Sequence, residues 1–197
     1  MVRQATATPQ PEIHEYHKEQ FLISTDPARV DVNSIHAFLS QSYWETKAIP
    51  KEIVARSIRG SLCFGVYEGQ RQVGFARVIT DRATFAYLCD DYILESHRGK
   101  GLGKWLMECI LSHLDLQGLR RWVVVTRDVR LYEKFGFTAL KEPETYMEIA
   151  TWESMRKVSP HAASPLRRFQ LRGRTMRFWI SRCRAYPRIT DPECKFR

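Results

Sequence analysis

The sequence lacks the long apolar run that a membrane span requires, since no stretch of its 197 residues approaches about 18 uninterrupted apolar residues. Its first twenty residues contain no apolar segment of the kind found in secretory signals. The 5 cysteines form no CxxC pair and the 6 histidines are scattered, which is not a zinc-binding or disulfide pattern. We therefore expect a cytoplasmic protein that binds no metal.

Positive charge is concentrated at one end of the chain. Residues 151–197 carry 12 basic and 3 acidic side chains, which accounts for the whole net charge of +9. Residues 1–150 are balanced, with 19 of each sign. The basic character of the whole chain therefore says nothing about nucleic-acid or membrane binding by its main body.

The apolar patterning predicts a mixed α/β domain, with a sheet packed by helices. Runs of apolar and β-branched residues predict strands at 21–24, 61–68, 72–80, 84–94, 122–126 and 145–149. The central valines of 122–126 favour burial on both faces of that strand. Apolar spacings of three and four predict helices at 32–43, 51–57, 101–117 and 129–135. We divide the chain into a flexible lead-in (1–19), one domain (20–150) and a basic extension (151–197).

A glycine-rich turn joins the third long predicted strand to the clearest predicted helix. The turn reads Arg98-Gly99-Lys100-Gly101-Leu102-Gly103-Lys104. Glycines allow backbone N–H groups to approach an anion closely, and a helix N-terminus favours phosphate. The segment therefore predicts a phosphate-bearing ligand. The nucleoside-triphosphatase loop pattern fails at Arg98 and Trp105, and the dinucleotide-binding pattern fails at Lys104.

Two motifs in this sequence resemble those of the GNAT superfamily of N-acetyltransferases. Residues 98–103 match its [QR]xxGx[GA] signature, and residues 131–137, LYEKFGF, are similar to its LYxKxGF motif. They stand about 30 residues apart, in the family order, and the resemblance covers roughly residues 20–150. It implies the GNAT acyltransferase fold, in which a mostly antiparallel central sheet is flanked by helices.

The resemblance also implies acetyl-CoA as cosubstrate and assigns roles to particular positions. Residues 98–104 would bind its pyrophosphate, and the backbone of Ile93 and Leu94 would hold the pantetheine arm, with an N–H near Ile93 polarising the thioester carbonyl. Tyr132 is similar to the family tyrosine that protonates the departing thiolate. The acceptor amine would attack directly, without an acyl-enzyme.

Attack by an amine requires a base, because alkylamines are mostly protonated at neutral pH. Asp90 and Asp91 precede the predicted cofactor segment, and successive strand residues point to opposite faces, so only one of them can face the thioester. We favour Asp90, with Asp91 and Glu95 as alternatives. Cys89 is interpreted as a core residue, because no histidine is placed to activate it. His97 is expected to be exposed at the turn.

The sequence leaves the acceptor open among a polyamine, an aminoglycoside, an amino acid and a protein N-terminus, and an acceptor other than an amine is a further reading. Tyr43 and Trp44 lie where similar proteins form the acceptor pocket, although core packing accounts for them equally well. The oligomeric state is also open, and similar proteins often form homodimers through edge strands.

The extension at 151–197 lies outside the resemblance, and we expect it to be partly disordered. Its segment Leu166–Ile180 interleaves arginine with apolar and aromatic residues. That composition fits contact with nucleic acid, an anionic membrane or an acidic partner, and equally an extension without a role. The alternative function is therefore a non-catalytic CoA-binding module with a basic tail.

Overall fold

A computed structural model describes residues 12–41 and 49–149. They contain one sheet of six strands in sequential order: β1 (Glu15–Lys18), β2 (Phe21–Ser24), β3 (Leu62–Glu68), β4 (Arg71–Thr80), β5 (Phe85–Ile93) and β6 (Arg121–Val124). Neighbours from β1 to β5 are antiparallel, whereas β6 lies parallel to β5. The expected mixed, mostly antiparallel sheet is confirmed.

Helices cover both faces of the sheet. They are α1 (Val32–Gln41), α2 (Lys51–Arg59), α3 (Leu102–Ser112) and the short α4 (Val129–Glu133). The α1 and α2 helices bury Ile35 and Val54 with Phe75 of β4, on what we term the α1/α2 face. The opposite α3 face packs Leu106 with residues that include Leu88, and this larger cluster forms most of the core. Burial of each such side chain stabilises the fold by about 1.5–3 kcal/mol.

The sheet begins earlier than the patterning predicts. Strand β1 lies inside the segment 1–19 that we expected to be a flexible lead-in. Its sequence, EYHK, carries little apolar signal, and of its four residues only Tyr16 packs against the core. Pairing with β2, as in Tyr16↔Ile23, defines the strand instead.

The structure corrects three other expectations. No strand forms at 145–149, because Pro143 begins a short 3-10 turn and the apolar residues after it are exposed, Met147 by 97%. The α3 helix ends at Ser112 rather than 117, since His113 adopts extended backbone and its ring accepts the N–H of Asp115. The valines of 122–126 are only partly buried, and Val125 is 57% exposed.

The described residues offer neither a membrane span nor a metal cluster. No helix among them has both the length and the apolar character needed to cross a membrane. They also contain no group of three or more histidine, cysteine or acidic side chains arranged to hold a metal ion.

Candidate functional site

Strands β5 and β6 pair over only part of their length, and this leaves one edge of β5 open. The register ends at Leu88↔Val124, whereas β5 continues to Ile93. At the end of β5 the N–H of Leu94 donates to Val73 O across 2.8 Å. Because N–H directions alternate along an antiparallel strand, the N–H of Ile93 points to the opposite edge, beyond the last β6 pair. The Ile93 N–H thus lies where a linear ligand can contact it, whereas the N–H and the carbonyl oxygen of Leu94 are bonded to Val73 O and His97 N–H.

A β-bulge in β5 sets the directions of the two adjacent carboxylates. Phe75 pairs with Tyr92 and Arg77 pairs with Cys89, so two β5 residues, Asp90 and Asp91, oppose the single β4 residue between Phe75 and Arg77. The extra residue is Asp90, which has a left-handed φ of 54°. The bulge shifts the alternation by one residue. As a result the Asp91 side chain lies on the α3 face of the sheet, where it meets Tyr132, and the Asp90 side chain contacts Arg77.

Asp91 and Tyr132 form the central contact of the site. The Tyr132 hydroxyl donates to Asp91 Oδ2 at 2.6 Å, although the two residues are 41 positions apart. Tyr132 comes from α4, is 5% exposed, and packs edge-on against Phe137 with ring centroids 5.9 Å apart. Burial raises the pKa of Asp91. The arrangement joins a phenol and a carboxyl group that holds its proton more tightly than usual.

Asp90, which the sequence analysis favours as the base, belongs to a different cluster. Its Oδ2 accepts from Arg77 Nε, and Arg77 Nη1 also donates to Ser61 Oγ at 3.2 Å. Both charged side chains are mostly buried, with 15% and 24% exposure for Arg77 and Asp90. The structure therefore brings Tyr132 together with Asp91, not with Asp90. Glu95 is exposed in a short 3-10 turn.

The cysteine next to these carboxylates is not prepared for nucleophilic chemistry. Burial raises the pKa of Cys89 to about 12, and it does the same for Cys63 on the neighbouring side of Arg77. Both side chains are therefore neutral thiols at physiological pH, and a thiol is a poor nucleophile. This supports the interpretation of Cys89 as a packing residue.

The glycine-rich turn has the backbone geometry of an anion site. Gly99 and Gly101 have left-handed φ values of 78° and 74°, and Gly101 is the N-cap of α3 without any side-chain capping bond. The first N–H groups of α3, from Leu102, Gly103 and Lys104, have no intrahelical acceptor, and the Gly101 cap offers them no side-chain acceptor. These groups and the helix dipole suit a diphosphate.

Basic side chains surround the same turn. Arg98 is exposed and donates through Nε to Ile93 O at 3.3 Å, which ties the turn to the end of β5. Lys100 and Lys104 are also exposed, and Lys104 pairs with Glu108 at 3.5 Å. Leu102 differs from the others, since its side chain is 2% exposed and belongs to the core. Its contact with a ligand would be through backbone.

The prediction that His97, the residue before the turn, is exposed was wrong. His97 is 5% exposed, not solvent-facing, because its ring enters the protein and contacts Glu68. Nothing in its sequence context, a polar Glu-Ser-His-Arg run, marks it as buried. Tyr43 and Trp44 lie outside the described residues.

Known proteins are similar to this chain in sequence and in fold. The model of the acetyltransferase (GNAT) family matches residues 12–137. A candidate acetyltransferase of Gibberella zeae is 38% identical over 130 residues, which span 55% of this chain and 72% of that protein.

Solved structures show the same fold. A candidate GNAT acetyltransferase of Xanthomonas campestris pv. campestris is 43% identical, with a TM-score of 0.63 over 73% of this chain and 96% of that one. A candidate acetyltransferase of Clostridium acetobutylicum, crystallised with acetyl-CoA, superposes with a TM-score of 0.50 at 14% identity over 72% of this chain and 97% of that one.

Proposed function

Since this chain belongs to the GNAT family of acetyltransferases, we propose that it transfers the acetyl group of acetyl-CoA to a primary amine by direct attack in a ternary complex. The observation that carries the proposal is the 2.6 Å hydrogen bond between Tyr132 and Asp91 beside the open edge of β5. Acetyl-CoA supplies an activated thioester, so that the C–N bond to the amine forms as the C–S bond breaks.

The chain's backbone offers two binding regions for this cosubstrate. The N–H groups at the start of α3, with Gly99 and Gly101 in left-handed backbone, would hold the diphosphate. The N–H of Ile93 at the open edge of β5 would donate to the thioester carbonyl oxygen, where negative charge develops during attack. Arg98, Lys100 and Lys104 add positive charge around the diphosphate.

Tyr132 and Asp91 would move one proton in each turnover. The attacking amine must lose a proton, and the departing thiolate must gain one. Asp91, whose pKa burial raises, is the better of the two carboxylates to accept the amine's proton, directly or through water. Tyr132 would give its hydroxyl proton to the thiolate and regain one from Asp91 across their hydrogen bond. Both side chains then return to their starting states.

The first experiment is the thermal stability of the protein titrated with acetyl-CoA, with ATP and NAD as controls. A ligand present at about 100 times its dissociation constant stabilises the folded state by about 2.7 kcal/mol. A selective rise in Tm with acetyl-CoA supports the cosubstrate. A folded protein that responds to none of the three would rule out both the enzyme and the CoA-binding module.

The chemistry is tested with Tyr132→Phe, which keeps the ring and removes the hydroxyl. A panel of polyamines, aminoglycosides, amino acids and peptides first identifies an acceptor for the wild-type protein. We then expect kcat to fall by about 100-fold or more in the variant, because general acid catalysis contributes about 10²–10⁴-fold. Acetyl-CoA binding should be unchanged. Wild-type protein that binds acetyl-CoA and acetylates no member of the panel would favour the non-catalytic module.

A further inference from the structure

A buried histidine lies directly before the cofactor turn. The ring of His97 points into the protein while Gly99, Lys100 and Gly101 remain exposed. Its Nε2 lies 3.2 Å from Glu68 Oε2, and its Nδ1 lies 2.8 Å from Ser96 Oγ. A carboxylate only accepts hydrogen bonds, so Nε2 donates to Glu68, and in the neutral ring Nδ1 accepts from Ser96. Both ring nitrogens are therefore satisfied in one orientation of the imidazole.

The partners of His97 belong to another part of the sheet. Glu68 ends β3, where it is the cross-strand partner of Phe21 on β2. The Phe21 ring meets the imidazole edge-on, with centroids 6.4 Å apart and planes at 85°. The Lys100 ammonium lies 5.6 Å from the centre of the same Phe21 ring. His97 and Lys100 thus contact a single cross-strand pair, Glu68 and Phe21.

Two contacts hold this segment to the end of β5. They are the hydrogen bond from Arg98 Nε to Ile93 O and the short 3-10 turn in which His97 N–H donates to Leu94 O. A turn whose glycines need left-handed backbone has considerable conformational freedom to lose on binding a ligand. The His97 and Lys100 side chains connect this segment to Glu68 at the end of β3 and Phe21 at the start of β2.

We propose that His97 and Glu68 are positioning residues that hold the glycine-rich turn in its ligand-binding conformation by anchoring it to the end of β3. This inference rests on the proposed use of the turn for the diphosphate of acetyl-CoA. The His97 hydrogen bond is the main cause of a lowered pKa at Glu68, which keeps this carboxyl group ionised as the acceptor of the bond. An anchored turn presents its N–H groups already ordered, and less conformational entropy is lost on binding.

The test measures the dissociation constant of coenzyme A by calorimetry for wild type, His97→Ala, Glu68→Ala and Glu68→Gln. Glu68 is 38% exposed in its side chain, so its variants should fold even where the histidine variant is unstable. We expect His97→Ala and Glu68→Ala to weaken binding by about tenfold, the effect of one charge-assisted hydrogen bond. Glu68→Gln keeps an acceptor oxygen and should recover most of the affinity. With an acceptor in hand, KM for acetyl-CoA should rise while kcat stays within about twofold.

His113→Ala is the matched control, because His113 is also buried, at 1% exposure, and follows the other end of α3. We expect it to lower thermal stability and to leave coenzyme A affinity unchanged. The anchoring role is overturned if wild type binds coenzyme A and His97→Ala and Glu68→Ala bind it with the same affinity. It is also overturned if His113→Ala loses as much affinity as those two variants. In both cases the proposed function stands. Absence of wild-type binding would overturn both.

Discussion

Asp90 and Asp91 are consecutive residues in different electrostatic environments. The first accepts from the Arg77 guanidinium, whereas the second is buried against a neutral phenol. An ion pair favours the charged form of a carboxyl group, and burial disfavours it. The raised pKa of Asp91 therefore has a consequence for stability that can be measured without a substrate.

The Asp91→Asn variant should gain stability relative to wild type as the pH rises. A raised pKa means that the native state binds the Asp91 proton more tightly than the unfolded state, whose carboxyl group titrates at about 3.9. The wild-type free energy of unfolding therefore falls as the pH rises from about 4 through the native pKa. Asparagine does not titrate and can still accept from Tyr132. The difference in Tm between variant and wild type should grow from pH 4 to pH 7, and a difference independent of pH would contradict this account.

The left-handed backbone at Asp90 can be separated from its ion pair by two substitutions. Asp90→Asn and Asp90→Ala both leave Arg77 without its carboxylate, which should lower the free energy of unfolding by about 1–3 kcal/mol. Asparagine tolerates a φ of 54°, whereas alanine is strained there by about 1 kcal/mol more. Urea denaturation measures both values. Equal losses in the two variants would mean that the bulge relaxes freely.

At the scale of elements, periodicity and spacing predicted most of the architecture. The β-branched runs of β3 to β5 are dense enough for their bounds to be predicted within one residue, and the apolar stripe of α3 predicted the start of that helix but not its end at Ser112. The sequence did not predict β1, because sheet pairing rather than side-chain pattern defines it. The failed strand at 145–149 had a suitable composition and no partner strand in the described sheet.

The candidate site was predictable only as a set of residues. The motifs identified Tyr132 and the glycine turn, and the acidic pair was visible in the predicted strand. Which of the two carboxylates meets Tyr132 depends on the bulge, because regular alternation continued from the start of β5 would place each carboxylate on the other face of the sheet. His97 was missed because its burial comes from Glu68 and Phe21, which are distant in sequence.

The glycines of the cofactor turn differ in what they require, and alanine substitutions should distinguish them. Gly101→Ala introduces a left-handed alanine, which should cost about 1 kcal/mol of stability and weaken coenzyme A binding by about tenfold or more. Gly118→Ala, with a φ of 70° in the turn before β6, is the matched control with the same strain and no effect on binding.

Gly103 belongs to the same turn and does not need left-handed backbone. It has helical backbone, and an added Cβ would meet only Ile93 Cγ1 at 3.9 Å, an ordinary contact. Gly103→Ala should stabilise α3 by about 0.5–1 kcal/mol and retain coenzyme A binding. Calorimetry and urea denaturation give both quantities for each variant. Weakened binding in Gly118→Ala would show that backbone strain outside the turn also disturbs the cofactor site.

At the scale of the whole molecule, charge and proposed chemistry lie in different parts of the chain. The family match ends at residue 137, and every residue proposed to act on acetyl-CoA lies within it. Residues 151–197, which carry the entire net charge, lie outside the described residues. The role of this extension in contacting nucleic acid, membrane or an acidic partner stays a prediction.

Deleting residues 151–197 should leave coenzyme A affinity unchanged within about threefold, because every residue proposed to bind this ligand lies in the family match at 12–137. The remaining chain has no net charge at pH 7, so its solubility should be lowest near neutral pH. Calorimetry and sedimentation check the two expectations. Loss of folding on truncation would move the boundary of the domain beyond residue 150.

The bulge at Asp90 affects how relatives of this protein are aligned. The extra residue in β5 exchanges the faces of all side chains between the bulge and the glycine turn. An insertion or deletion at the bulge therefore reverses which acidic residue meets Tyr132 of α4. An alignment that places gaps by similarity alone can therefore pair Asp91 with a residue on the wrong face of a homologous strand. Whether a relative has the same proton-transfer pair should be decided by counting strand residues from the bulge, which gives the face of each side chain. Identity at one aligned position is not sufficient.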